Sequence, residues 1–257
     1  MSKVRNFIVV LLVVSMVAIM TGCSSSSPTG TSSQTTPKAA PITLTDHSGR
    51  TVTLEKPAQR VIGTHNPSMN MVVAIDGNGS RIAGFGMKDK AYGLYEKVAP
   101  EINKATQVGK GKDYNMETVL SVKPDLVILP KKMQALAKQF EEVSLPVLVL
   151  DVEKYDSIID ALTLVGQAIG QERKAGQITK YLKDKIAKSS KIAADAKTKP
   201  SVLVLGSSSQ YNVSVDSMLQ NLMIETAGGK NVTAGLKGDF WTEVDIEQIV
   251  KWNPEII

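Results

Sequence analysis

Residues 115–127 read NMETVLSVKPDLV, and residues 245–257 read DIEQIVKWNPEII, which aligns on the first stretch without a gap. Each copy begins with a polar residue suited to cap a helix, carries a glutamate two places later, and continues with apolar residues at helical spacing. A proline then stops the helix, and the aliphatic residues after it predict a buried strand. Only the glutamate and the proline are identical, so chance recurrence of a common helix–strand unit is the alternative to duplication. Duplication predicts two similar lobes.

The remaining sequence alternates predicted strands and helices, which is typical of a mostly parallel sheet covered on both faces. We predict a hairpin at residues 42–54, aliphatic strands at 125–129 and 146–151, and a further strand at 202–205. Residues 172–196 carry a narrow apolar stripe at helical spacing, which predicts a long polar helix between two sheet-forming segments. We therefore expect an α/β fold with two Rossmann-like lobes, each with a central mostly parallel sheet, joined by a long α-helix. The alternative is that this helix is an ordinary surface helix of a single domain.

The N-terminus has the composition of a lipoprotein signal peptide. A basic start precedes an almost continuously apolar run from Phe7 to Met20, which is too short to span a bilayer comfortably. Cys23 is the only cysteine, and with the Thr-Gly before it this site resembles a bacterial lipobox, whose cysteine is diacylated. A plain membrane anchor is the alternative. Residues 24–40 are small and polar, which predicts a flexible tether.

The predicted organisation follows these changes in composition: a signal peptide at 1–22, a tether at 23–40, an N-terminal α/β lobe at 41–171, a linker helix at 172–197 and a C-terminal α/β lobe at 198–257. The chain stops at Ile257 inside a predicted strand, so we expect the C-terminal lobe to be truncated. The chain has 30 basic and 25 acidic residues, and the basic residues are scattered rather than interleaved with aromatics. This mild charge predicts no nucleic-acid partner.

The 115–127 stretch, residues 241–249 (WTEVDIEQI) and Gly228-Gly229-Lys230-Asn231 resemble motifs of the iron-complex and cobalamin substrate-binding lipoproteins of ABC importers. These are the class III binding proteins, whose lobes are joined by a helix, and the resemblance covers about residues 41–257. It implies capture of an iron chelate of the siderophore type, or a related metal complex, between two lobes and delivery to a permease. It implies no cofactor besides such a ligand, for example an Fe(III)-siderophore.

In that family one glutamate per lobe pairs with arginines on the permease dimer, and by position these glutamates are Glu117 and Glu247. A carboxylate on a short helix can form bidentate, charge-assisted hydrogen bonds with arginine. A lone glutamate is more simply a solvated surface carboxylate. Because the two glutamates occupy the same place in the two copies of the repeated unit, docking on the permease is favoured.

We expect ligand-binding residues in the loops that follow strands, because pockets form beyond the carboxyl ends of parallel strands and between domains. These loops supply His65, Asn66, Lys88, Tyr92, Lys112, Tyr114, Lys131, Ser208 and Trp241. The lysines suit carboxylates or phosphates of an anionic chelate, although any single one is more simply a solvated lysine. Trp241 is either an aromatic cover for the ligand or a buried loop anchor, and His65 is either a ligand contact or a satisfied loop histidine.

Several other functions compete with this hypothesis. The cobalamin binders carry tryptophans where this chain has Gly111 and Pro130, which weakens but does not remove cobalamin as a ligand; haem, a free metal ion and an oxyanion are further alternatives. A zinc or manganese site would need several histidines, and the chain has two, so no metal site of its own is predicted. The sequence lacks a nucleophile elbow, a phosphate loop and a nucleophilic cysteine, so we predict that it is not an enzyme. A sensor lipoprotein that reuses the fold is the remaining class.

The predicted partners are a permease dimer with its ATPase, a small-molecule metal complex, and the membrane through the N-terminal lipid. We expect a lipid-anchored monomer on the extracytoplasmic face of the cell membrane.

Overall fold

The N-terminal half is built on a parallel sheet and a separate hairpin. The computed structural model of the chain describes residues 40–86, 93–206, 209–238 and 240–257. In chain order its strands up to residue 150 are β1 (Ile42–Thr45), β2 (Thr51–Leu54), β3 (Val61–Gly63), β4 (Ile82–Phe85), β5 (Thr106–Gln107), β6 (Gly109–Lys110), β7 (Asp113–Tyr114), β8 (Leu126–Pro130) and β9 (Val147–Leu150). Strands β1 and β2 pair antiparallel, which confirms the predicted hairpin.

The main sheet has the order β5-β4-β3-β8-β9, and each pair of neighbours in it is parallel. The chain adds β4 and β5 on one side of β3 and then crosses to add β8 and β9 on the other. The direction of winding therefore reverses between β3 and β8. In open parallel sheets, ligands bind in the crevice beyond the carboxyl ends of the strands at such a reversal.

Helices cover both faces of this sheet. In chain order they are α1 (Asn66–Asp76), α2 (Leu94–Val98), α3 (Met116–Ser121), α4 (Ala137–Glu141), α5 (Tyr155–Ala168) and α6 (Glu172–Ala194), with 3-10 turns at Pro100–Lys104 and Lys131–Leu136. Leu126 and Ile128 of β8 belong to one hydrophobic cluster, and Val127 and Leu129 belong to a second. Successive side chains of a strand point to opposite faces, so a strand buried on both faces is continuously aliphatic.

The long helix α6 has 23 residues and confirms the predicted helix between the sheet-forming segments. This helix packs on the N-terminal half, because Ile178 and Leu182 contact the hydrophobic cluster there. Its first turns also approach α5 closely: a Cβ on Gly166 would lie 2.4 Å from the Cβ of Ala175, so only glycine fits at that crossing. Across the described part of the chain, no helix is long and apolar enough to cross a membrane.

The C-terminal half contains β10 (Ser201–Val202), β11 (Asn212–Val213), α7 (Leu219–Thr226), β12 (Lys230–Asn231), β13 (Thr242–Glu243) and α8 (Ile246–Trp252). Strand β10 pairs parallel with β12, and Val202 also forms a parallel bridge with Ile256. The strand predicted at 202–205 is shorter than expected, because Leu205 turns away to bridge Val213 in an antiparallel arrangement.

The two copies of the repeated unit share the same helix cap and the same backbone turn at the proline, but the first continues into β8 whereas the second forms only the single bridge of Ile256 with Val202. The Asn115 side chain accepts a hydrogen bond from the Thr118 N–H at 2.8 Å, and the Asp245 side chain accepts one from the Gln248 N–H at 2.7 Å. Each helix therefore has a side-chain N-cap of the predicted kind. The residue before the proline has left-handed backbone in both copies, with φ of 47° at Lys123 and 44° at Asn253.

The acidic residue after the proline also accepts a backbone hydrogen bond from a neighbouring strand segment in both copies. The Asp125 carboxylate accepts a hydrogen bond from the Arg60 N–H at 2.8 Å, next to the start of β3. The Glu255 carboxylate accepts one from the Ser201 N–H at 2.7 Å, at the start of β10. Each carboxylate thus fastens the segment after the proline to its parallel neighbour, which supports duplication over chance recurrence.

Candidate functional site

The carboxyl ends of β3, β8 and β9 bring together a group of polar and charged residues. His65 follows β3, Lys131 and Lys132 follow β8, and Asp151 and Lys154 follow β9. Because these strands are parallel, their carboxyl ends lie at one edge of the sheet. The reversal of winding between β3 and β8 places His65 and Lys131 at the two sides of the crevice.

His65 directly precedes α1, and its backbone carbonyl accepts a hydrogen bond from the Met69 N–H at 3.1 Å. Its Nδ1 atom is buried and has no hydrogen-bond partner among the described residues. Burial, together with the positive charge of Lys132, lowers the pKa of His65 to about 4. The imidazole is therefore uncharged at neutral pH and adds no positive charge to the crevice.

The lysines that follow β8 are only loosely paired with acids that follow β9. Lys131 Nζ lies 4.0 Å from Asp151 Oδ2, and Lys132 Nζ lies 3.5 Å from Glu153 Oε1. Both lysine side chains are more than 40% exposed, at 43% and 47%. Exposed pairs at such distances contribute little to stability, so their partners can be exchanged at low cost.

The N-terminal hairpin holds the end of β9 in place. The Asp151 N–H donates a hydrogen bond to His47 Nδ1 at 2.7 Å, and the Val149 N–H donates one to Asp46 Oδ2 at 3.1 Å. These bonds link the β1–β2 turn to the strand from which Asp151 and Lys154 emerge. The hairpin is therefore part of the support of the site.

A cavity of about 430 Å³ lies at this edge and receives residues from both halves of the chain. Its lining consists of Lys131, Lys132, Gln134, Ala135, Asp151, Lys154 and Phe240. Phe240 comes from the C-terminal half and is 38% exposed. A second link between the halves lies close by, where the Leu219 N–H donates to the Glu153 carbonyl at 2.9 Å. The cavity thus has a cationic wall from one half and an aromatic residue from the other.

The ligand-binding residues predicted from the sequence do not all lie at this cavity. Lys131 lines it, and His65 is close enough to Lys132 for its pKa to be affected; Asn66 opens α1 beside His65. The ring of Trp241 lies over Gly206, within the C-terminal half. Lys88, Tyr92, Ser208 and the lipidation residue Cys23 lie outside the described residues.

Lys112 and Tyr114 lie elsewhere, on the β6–β7 hairpin. Lys112 is exposed at its turn, whereas Tyr114 is buried with its ring 5.4 Å from that of Phe140. Burial raises the pKa of Tyr114 to about 12. Both residues line a separate cavity of about 750 Å³, whose described lining residues all come from the N-terminal half.

Phe240 and Lys154 line the cavity but were not among the residues predicted from the sequence. Phe240 is the neighbour of the predicted Trp241, and it is Phe240 whose side chain lines the cavity. Lys154 follows β9, and the rule that pockets lie beyond parallel strands applied to that loop as well. Within the described ranges, no three His, Cys, Asp or Glu side chains form a group that could hold a metal ion.

The predicted docking glutamates occupy equivalent places on the two short helices. Glu117 lies in the first turn of α3 and Glu247 in the first turn of α8. Both side chains are exposed. Each is therefore accessible to a partner protein.

Comparison with known proteins identifies the family. The sequence profile of the family described as "Periplasmic binding protein" matches residues 64–257. The ABC transporter substrate-binding lipoprotein YvrC of Bacillus subtilis is 29% identical, over 84% of this chain and 68% of its own length. The Fe(3+)-citrate-binding protein YfmC of the same organism is 24% identical, over 100% of this chain and 80% of its own length.

Among solved structures, the molybdate-binding protein MolA of Haemophilus influenzae is similar, with a TM-score of 0.70 and 20% identity over 83% of this chain and 72% of MolA. The α/β fold with a central parallel sheet and a long helix is that of the class III periplasmic binding proteins, which confirms the predicted fold class. The family and these relatives are substrate-binding proteins of ABC transporters rather than enzymes, as predicted. A permease with its ATPase and a small-molecule ligand are therefore its partners, at an extracytoplasmic location. Since the profile matches residues 64–257, the chain belongs to the periplasmic binding protein family.

Proposed function

We propose that this chain captures an iron chelate of the siderophore type, or a related metal complex, between its two halves and delivers it to the importer. The observation that carries the proposal is the cavity of about 430 Å³ at the carboxyl ends of β8 and β9, lined from both halves. A chelate supplies the donors of its own metal, so capture requires of the protein shape and charge complementarity only. The metal complex is cargo, and the protein needs no resident cofactor.

Two relatives support a metal-containing ligand. The name of YfmC gives Fe(3+)-citrate as its ligand, and the structure of MolA contains molybdate. Cobalamin, haem, a free metal ion or an oxyanion are the competing ligands. The long helix α6 contacts α5 and α7, one in each half. A helix that packs on both halves resists large bending, so we expect closure on the ligand to be small.

Ligand binding by the intact protein tests the proposal. The chain has two tryptophans, and Trp241 is adjacent to the cavity residue Phe240. We expect saturable quenching of tryptophan fluorescence by ferric chelates, and no quenching by the same chelators without iron. A Trp252→Phe variant isolates the signal of Trp241. If ferric siderophores, ferric citrate, haem and corrinoids all fail to bind, the proposal is wrong.

We propose further that Glu117 and Glu247 dock the loaded protein on the permease. Surface carboxylates of this kind steer association and set register more than they add affinity. Replacing both glutamates with alanine is expected to abolish uptake while ligand affinity stays unchanged. Glu172→Ala is the matched control, because Glu172 also lies exposed in the first turn of a helix but outside the repeated unit. Normal uptake by the double variant would reject the docking role.

The lipid anchor is a separate proposal. We propose that Cys23 is acylated and holds the protein at the outer face of the cell membrane through the tether. A Cys23→Ala variant is then expected to lose lipid labelling and to leave the membrane fraction. Labelling that persists in this variant would exclude Cys23 as the site.

A further inference from the structure

The charged side chains around the cavity of about 430 Å³ indicate the charge of the ligand, which the fold alone does not. Among the described residues, three lysines line the cavity, Lys131, Lys132 and Lys154, against one lining carboxylate, that of Asp151. A second carboxylate, that of Glu153, lies 3.5 Å from Lys132 Nζ. The chain as a whole is only mildly basic, with a formal net charge of +5 on 257 residues. The excess of positive charge in this one cavity is therefore a local feature rather than a consequence of composition.

These lysines are available to a ligand. Lys154 makes no ion pair with any residue that the structure describes, and it is exposed just before the first turn of α5. The pairs of Lys131 with Asp151 and of Lys132 with Glu153 are long, at 4.0 and 3.5 Å. An ammonium group on a flexible stem can turn from such a partner to a ligand oxygen, which a planar guanidinium does less readily.

Among the residues that the structure describes, the C-terminal half adds no charged side chain to the lining of the cavity. Its described lining residue is Phe240, which is apolar. His65, next to Lys132, is uncharged at neutral pH. Closing an aromatic residue over a group of ammonium ions removes water, which strengthens their attraction for anions and their repulsion of cations.

We infer that the cavity selects complexes of net negative charge, whose carboxylate, phosphate or oxo oxygens are held by Lys131, Lys132 and Lys154. The inference rests on the proposed function, because it assigns a charge class to the ligand of the same site. Neutral corrinoids and cationic ferric hydroxamates are then poor ligands, whatever the metal they carry.

The experiment is calorimetric titration of the intact protein with probes that differ in charge. The probes are ferric citrate, molybdate, a neutral ferric trihydroxamate, a ferric trihydroxamate of net positive charge and cyanocobalamin. We expect an anionic probe to bind about ten-fold or more tightly than the neutral and cationic ones. Raising the ionic strength from about 0.05 M to about 0.5 M should weaken this binding, because screening shortens the range of the attraction.

Substitutions identify the residues responsible. Lys131→Gln, Lys132→Gln and Lys154→Gln should each weaken binding of the anionic probe by about 3- to 30-fold, and the triple variant by more. Lys138→Gln is the matched control, because Lys138 is an exposed lysine of the neighbouring helix α4 and does not line the cavity. Circular dichroism of each variant verifies the fold.

The outcomes separate this inference from the proposed function. Tight binding of a neutral or cationic complex, unaffected by the lysine substitutions, overturns the charge selection and leaves metal-complex capture intact. Binding of molybdate alone, lost in the lysine variants, supports the selection of anions and overturns capture of a chelate. Failure of every probe to bind overturns both.

Discussion

The helix–proline–strand unit at residues 115–127 is enclosed by its sheet, whereas the unit at 245–257 lies largely at the surface. Val119 and Leu126 in the first copy are fully buried, and the aligned Ile256 in the second is 48% exposed. The N-cap, the left-handed residue before the proline and the carboxylate after it are nevertheless the same in both. The polar interactions therefore specify the unit locally, while its burial depends on what the surrounding sheet supplies.

The largest expected effect tests this difference in burial. Leu126→Ala removes a fully buried side chain and should lower the free energy of unfolding by about 2–5 kcal/mol. The aligned Ile256→Ala changes a half-exposed side chain and should cost less than about 1 kcal/mol. Urea denaturation of both variants measures the two values. Equal losses would show that the second copy is as enclosed as the first.

Much of this architecture could be predicted from sequence, because it follows from short-range patterns. The hairpin, the aliphatic strands of the parallel sheet and the long helix have periodicities that only one element type satisfies. The caps at Asn115 and Asp245 are local hydrogen bonds between residues three apart. The packing of α6 against the N-terminal half was not predictable, because it depends on which helix the side chains of Ile178 and Leu182 meet.

The site was less predictable for the same reason. The rule for parallel strands pointed to the edge of the sheet where the cavity lies, and it named Lys131, which lines the cavity, and His65, which is near Lys132. It could not distinguish Phe240 from Trp241, because two adjacent aromatics differ only in which way the loop directs each ring. Tyr114 was proposed for a surface loop, but its position in the short strand β7 directs its ring against Phe140.

A second comparison concerns the strand ends. Val61 of β3 pairs with Leu126, and Val202 of β10 pairs with the aligned Ile256. Four residues further along each chain segment, His65 in the N-terminal half corresponds to Gly206 in the C-terminal half. Of these two equivalent positions, only His65 is titratable. The folded pKa of His65 is about 4, below the ordinary value of 6.5. Protonation therefore favours the unfolded chain, and stability should fall by up to about 3 kcal/mol as the pH drops from about 6.5 towards 4.

A His65→Gln variant checks this expectation, since glutamine cannot titrate in that range. Urea midpoints at pH 7.5 and pH 5, taken for the parent and the variant, isolate the contribution of His65. The parent should lose more stability between the two pH values than the variant. An equal loss in both would assign the pH dependence to other groups.

The carboxylates after the two prolines provide a smaller test. The Asp125 carboxylate accepts hydrogen bonds from the Gln59 and Arg60 N–H groups, and its loss in Asp125→Ala should cost about 1–2 kcal/mol. The Glu255 carboxylate is bound by Ser201 but is fully exposed, so Glu255→Ala should cost less. Thermal unfolding of both variants ranks them. A larger loss for Glu255 would contradict the view that burial distinguishes the copies.

The smallest expected effect concerns what the copies share. Asn115→Ala and Asp245→Ala each remove one side-chain cap at a helix N-terminus, and each should cost about 1 kcal/mol. Burial should not affect these two losses, because both hydrogen bonds lie at the surface. Asn115→Asp and Asp245→Asn keep the cap and should leave stability nearly unchanged, which separates loss of the bond from change of charge. Since the cap bonds are matched in length to within 0.1 Å, losses that differ strongly between the copies would mean that the sheet, and not the cap, stabilises the helix.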